Sequence, residues 1–168
     1  MTPVSNRRLF TVAAAVFIFD QFTKLAVVNF LGEHDQRVII DGFFRFVHWG
    51  NTGAAWSLFH GNNEILAVIS VVALIVLFLA RRHFDNGTAL GQTALGLIFG
   101  GILGNLLDRI RVKHVIDFLR FYVYPRAGSE EIGFPAFNVA DSGICVGVFL
   151  LFLLSWRVQT AAVPEKAT

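Results

Sequence analysis

Charge is what this chain has little of. Only 15% of its 168 residues are Asp, Glu, Lys or Arg, against about 25% in an ordinary soluble domain, and 55% are hydrophobic. That balance describes an integral membrane protein. The formal net charge of +2 is too small to argue for a nucleic-acid partner. Its single cysteine, Cys145, lies in an apolar run and excludes an intrachain disulfide and a cysteine cluster for zinc or iron–sulfur. No low-complexity linker or internal repeat divides the sequence, so 1–168 reads as one domain.

What is present is four apolar stretches, at approximately 9–30, 64–80, 89–107 and 137–156. Each approaches the roughly 20 residues a helix needs to cross a hydrocarbon core about 30 Å thick. An open sheet would leave edge amides unpaired in lipid, so the fold class is a mainly α membrane protein with four transmembrane helices. The first stretch lacks a small-x-small cleavage site and continues through Asp20 and Lys24, which argues for an uncleaved helix. Arg81-Arg82, expected in a very short loop at a helix end, place both termini in the cytoplasm. Loops 31–63 and 108–136 are then extracytoplasmic. In the first of these, Asp41-Gly42 is a hairpin signal, and Phe44, Phe46 and Trp49 interleave with Arg45 and His48, so a small β-structured lobe is expected. The second mixes Val115, Ile116, Phe118 and Leu119 with Arg111, Lys113 and Arg120, as suits an interfacial segment.

Helices three and four run in opposite directions, so both loops and the start of the fourth helix share one face. Two carboxylates fall there. Asp141, expected about four residues into the fourth helix, is either a favourable partner of the helix dipole or a functional acid. Asp117 stands among apolar neighbours, where desolvation and a second carboxylate raise the affinity for a proton. A pair sharing one proton is the arrangement of aspartic peptidases, and it needs no metal. Asn51, Gly53 and Asn138 gather at the same level. Asn105, Asp108 and Arg109 close the third helix after Gly100, Gly101 and Gly104, which permit close helix packing. Taken singly, Asn105 and Arg109 read better as a cap and a partner of Asp108 than as site residues. Asp20 and Lys24, spaced i, i+4, read as a buried ion pair. His114, three residues before Asp117, is a weak metal signal without further ligands.

Five stretches, in order, carry a resemblance: Asp20-Gln21-Phe22-Thr23-Lys24, Asn51-Thr52-Gly53-Ala54-Ala55-Trp56-Ser57, Gly104-Asn105-Leu106-Leu107-Asp108-Arg109, Val115-Ile116-Asp117-Phe118 and Phe137-Asn138-Val139-Ala140-Asp141-Ser142. Together on a four-helix chain they resemble the motif series of bacterial lipoprotein signal peptidase, signal peptidase II. Trp56 stands where that family more often has Phe. The resemblance implies that Asp117 and Asp141 are a catalytic dyad and that Asn51, Asn105, Arg109 and Asn138 line or support the site. It makes Asp20 structural. It also implies an aspartic endopeptidase of the bacterial inner membrane, without metal or organic cofactor. Its partner is a diacylglyceryl-modified prolipoprotein, cut before the lipidated cysteine near the extracytoplasmic face. A monomer is expected, with the β lobe and the segment before Asp117 closing over substrate as a clamp. The rival reading is a small proton-coupled transporter or channel relaying through Asp20, Asp117 and Asp141; it requires polar residues spread through the bundle, whereas here they collect at one end.

Overall fold

Among the residues described by the computed structural model, 6–53, 61–85, 88–125 and 131–161, helices and strands follow one another in an order that puts every strand at one end of the bundle. The elements are α1 (Arg7–Phe30), β1 (Gln36–Ile40), β2 (Phe44–Asn51), α2 (Asn63–Asp85), α3 (Ala89–Arg111), β3 (Val115–Val123), β4 (Ile132–Gly133) and α4 (Val139–Ala161). Residues 54–57, in the second of the five motif stretches, lie outside the described residues.

The helices have 24, 23, 23 and 23 residues. At about 1.5 Å per residue each is long enough to cross a bilayer, and all four are apolar enough to do so. The second and third run further than the hydropathy pattern indicates. Arg81 and Arg82 belong to the last turns of α2 rather than to a loop, and Asp108 to Arg111 remain helical in α3. Arginine stems lie along apolar surface while their heads reach water, which lets a helix continue past the apolar run.

Helix α3 is the central and most buried of the four, and small residues make that possible. Gly96, Gly100 and Gly104, one turn apart, face α1. A Cβ on Gly96 would lie 2.7 Å from the Leu9 carbonyl oxygen, and one on Gly100 would lie 2.6 Å from that of Ala13. Gly101 is offset toward α4, where a Cβ would strike the carbonyl of Ala140. Backbones at this separation gain dispersion contacts, the main source of helix association where lipid tails are as apolar as the side chains. Leu9, Ala13, Leu95 and Phe99 fill the seam between α1 and α3.

The sheet is antiparallel with its strands in the order β1-β2-β3-β4, and α2 and α3 intervene between β2 and β3. Asp41-Gly42 forms the expected turn, with Gly42 at φ +69°, a region that costs glycine little. The segment after α3 is itself a strand, β3, hydrogen-bonded along β2. The lobe and the segment before Asp117 are therefore one sheet, and they do not form the two jaws of a clamp. One extra residue in β2 between Phe46 and Trp49 makes a bulge, since these residues oppose Leu119 and Asp117 on β3. Bulges of this kind re-aim side chains next to functional sites.

Candidate active site

Asp117 and Asp141 reach one place by different routes. After α3 the chain turns at Lys113, at φ +67°, and enters β3. The register Trp49–Asp117 and Asn51–Val115 then sets Asn51 diagonally across from Asp117. At the other end of the site, Phe137 pairs with Leu119: its carbonyl accepts from the amide nitrogens of Phe118 (3.0 Å) and Leu119 (2.8 Å), and its own N–H donates to the Leu119 carbonyl (3.0 Å). This junction fixes the start of α4 against β3, two residues beyond Asp117 on one strand and four before Asp141 on the other.

Asn138 then joins the two acids. It is fully buried and stands immediately before α4, so Asp141 is the third residue of the helix, nearer its start than the apolar run suggests. The pair makes a reciprocal capping box. The Asp141 N–H donates to Asn138 Oδ1 (2.9 Å), and the Asn138 N–H donates to Asp141 Oδ2 (3.2 Å). The remaining group of that side chain, Nδ2, donates to Asp117 Oδ1 at 2.9 Å. Asn51 Nδ2 donates to Asp117 Oδ2 at 2.9 Å, and Asn105 Nδ2 donates to Asp141 Oδ1 at 2.7 Å. Each carboxylate thus receives an N–H on both oxygens, from neutral donors.

Asp117 is 3% exposed. Burial, reinforced by the nearby Asp141 charge, pushes its carboxyl up to about 7, against the opposing pull of the Asn51 hydrogen bond, the Lys24 charge and the Asn138 hydrogen bond. A carboxyl with this poise exchanges its proton near neutrality, as a general acid–base catalyst must.

Behind the two acids lies an ion cluster. Lys24 Nζ is 2.9 Å from Asp20 Oδ2 and 2.7 Å from Asp108 Oδ2. Asp108 is thus the partner of Lys24 and not of Arg109. Arg109 instead donates to the Gly53 carbonyl (3.1 Å) and to the Asn105 carbonyl (3.4 Å), which places Gly53 at the rim of the site. Asp20 Oδ1 accepts from the N–H of Ala140 at 2.9 Å, capping α4 from another helix. Asn51, Gly53, Asn105, Arg109, Asn138, Asp117 and Asp141 form one connected group, and Asp20, Lys24 and Asp108 support it. His114 packs beside Gly50 on β2. Among the described residues no three His, Cys, Asp or Glu side chains are grouped to hold a metal ion.

Two contributors escaped the sequence reading. Gln21 Nε2 donates to Asp20 Oδ2 (3.1 Å), the Gly104 carbonyl (3.2 Å) and Asp108 Oδ1 (3.1 Å). Asn63 Nδ2 donates to the Arg109 carbonyl at 3.0 Å. Gln21 was readable as a polar residue between two charges on a buried helix; Asn63, at a helix start, looks like any cap.

Comparison with known proteins matches this arrangement to one family. Residues 12–157 match the family described as signal peptidase (SPase) II. The lipoprotein signal peptidase of Geobacillus kaustophilus is 37% identical over 155 residues, covering 92% of this chain and 95% of the relative. That of Geobacter sulfurreducens is 40% identical over 150 residues, covering 88% and 90%, and that of Nitratidesulfovibrio vulgaris is 38% identical over 171 residues, covering 99% and 98%. A bacterial membrane enzyme solved by the in meso method superposes with a TM-score of 0.79 at 28% identity, over 95% of this chain and 94% of the other. The four spanning helices, the antiparallel sheet and the matched residues agree, and the chain belongs to the signal peptidase II family, an aspartic peptidase of the membrane.

Proposed function

We propose that Asp117 and Asp141 are the catalytic dyad of this peptidase and that its substrate is a diacylglyceryl-modified prolipoprotein, cleaved on the amino side of the lipidated cysteine. The observation that supports this most is Asn138, whose side-chain and backbone N–H groups donate to one carboxylate from a strand and one from the first turn of a membrane helix, while its Oδ1 accepts from the Asp141 N–H. In such a pair the ionised member takes a proton from water as the water attacks the scissile carbonyl, and the protonated member donates to the carbonyl oxygen. The proton then passes to the leaving nitrogen, and the dyad regains its starting state. Acyl chains anchored in the bilayer hold the substrate cysteine near the interface, the level of the first turn of α4. Arg109 holds the backbone at Gly53, beside Asn51, and so shapes the rim that a peptide backbone meets.

The same reading puts both termini in the cytoplasm and the dyad near the extracytoplasmic face. Position supports this over a bare count of charges: Arg81 and Arg82 stand in the last turns of α2, a few residues before α3 begins, where basic residues beside a helix end bear most on orientation. The transporter reading is displaced by the family assignment, and Asp20 is already committed to Lys24, Gln21 and the Ala140 N–H.

The experiment is cleavage of a diacylglyceryl-modified prolipoprotein in detergent by wild type, Asp117→Asn and Asp141→Asn, each checked for folding. Both variants are expected to lose at least about 10³-fold in kcat, the scale for a group that acts as part of a catalytic unit. A folded variant that cuts at near wild-type rate makes its aspartate structural.

A further inference from the structure

Lys24 touches neither proposed catalytic acid, yet it is 2% exposed and its ammonium uses all three of its N–H groups. Two go to Asp20 and Asp108, and the third goes to Asn105 Oδ1 at 2.9 Å. That third bond decides how the Asn105 amide is turned. Its oxygen faces two donors, Lys24 Nζ and Asn138 Nδ2 (3.2 Å). A flipped amide would set its NH2 against both, so the NH2 is held toward Asp141 Oδ1. Lys24 thus acts on Asp141 through one amide, while its ion-pair partner Asp20 grips α4 at the preceding residue, Ala140.

We propose that Lys24 is a positioning residue for the proposed dyad: by locking the Asn105 amide it keeps a donor on Asp141 and holds the pair's negative charge there, with Asp117 carrying the shared proton. This rests on the dyad reading above. The charged groups around Asp141 are Asp117 on β3, Arg109 and Asp108 on α3, and Asp20 and Lys24 on α1. The Lys24 and Arg109 cations act on both acids; what sets Asp141 apart is the Asn105 amide that Lys24 holds toward it, and Lys24 pairs with the acids of α1 and α3 that oppose an anion there. The first turn of α4 adds its free amides. Asp117, in a strand between Ile116 and Phe118, has no helix terminus to support a charge.

The test is the pH dependence of kcat/KM, whose acidic limb reports protonation of the ionised member in the free enzyme. The variants are Asn105→Ala, Lys24→Met combined with Asp108→Asn so that of the two carboxylate partners of the lysine only Asp20 keeps its charge, held by Gln21 and the Ala140 N–H, and all three substitutions together. The proposal expects the acidic limb to rise by about one pH unit in each, the scale of one lost hydrogen bond to a charged group. It also expects kcat to fall while KM changes little, and the triple variant to show no further displacement. A purely structural Lys24 lowers the folded fraction and leaves the limb in place. An unmoved limb, or displacements that add in the triple variant, overturns the proposal. Asn105→Ala keeps Lys24 with both carboxylates, so if the Lys24 variant does not fold, the limb of Asn105→Ala decides alone. Failure of the dyad reading is separately visible, as activity in Asp117→Asn or Asp141→Asn.

Discussion

At the scale of the residue, three asparagines carry the site, and each does two jobs. Asn138 caps α4 and binds Asp117; replacing it with Ala is expected to cost about 1 kcal/mol of stability, the usual value of an N-cap. Activity should fall by about 10²-fold or more, because a misplaced acid loses much of its effect. Thermal melts beside cleavage rates separate the two. Asn51 opposes the rise of the Asp117 carboxyl, so Asn51→Leu is expected to carry the alkaline limb of activity to higher pH, read from the rate profile. Asp117 also gives stability a pH dependence with a definite sign. It holds its proton up to about 7 when folded but only to about 4 when unfolded. Its contribution is therefore present below about pH 4 and is lost as pH rises toward 7. The melting temperature of the wild-type enzyme in detergent, taken relative to that of Asp117→Asn, should decline over that interval. As candidates the two aspartates stand out in the sequence because acids beside apolar runs are rare. Asn105 and Arg109 were not legible from their own surroundings: an Asn and an Arg at a helix end have ordinary uses, and only the fold shows Asn105 between Lys24 and Asp141.

At the scale of the element, β3 was the hardest to read. Val115-Ile116-Asp117-Phe118 is buried on both faces, so its residues do not alternate between apolar and polar, and a continuous apolar run does not separate strand from interfacial helix. The hairpin before it was legible because β2 does alternate and Asp41-Gly42 marks the turn. Helix ends were legible only to within about a turn and a half, since arginines extend α2 and α3 past their apolar cores. Lys113 occupies a left-handed position after α3, where a side chain costs roughly 1–2 kcal/mol; Lys113→Gly should raise stability by about 1 kcal/mol with cleavage retained, as judged by thermal melts. Gly104 has the opposite sensitivity. A Cβ there would strike the Asp20 carboxylate and approach Ala140, so Gly104→Ala should destabilise by about 1–3 kcal/mol and displace the start of α4. Its activity should fall by more than the loss of folded protein explains.

At the scale of the whole molecule, the order of elements does the assembling. An even number of crossings returns the sheet, the end of α3 and the start of α4 to one surface, and the polar residues that composition makes scarce meet there. This much follows from counting apolar runs, which is why the location of the site was legible before its geometry. The orientation is open to direct test. In a Cys145→Ser background, a cysteine at position 39 on β1 should react with a membrane-impermeant maleimide in intact spheroplasts. One at position 83 near the end of α2 should react only after lysis. The reverse pattern inverts the topology proposed here.

The account stands on two aspartates working as one acid–base pair, and the pH profile of wild-type kcat/KM on a lipidated prolipoprotein tests that most directly. A bell is predicted, with its alkaline limb close to pH 7, where Asp117 gives up its proton. A rate that stays flat, or still rises, from pH 7 to about 9 would contradict a mechanism in which one carboxyl must keep its proton.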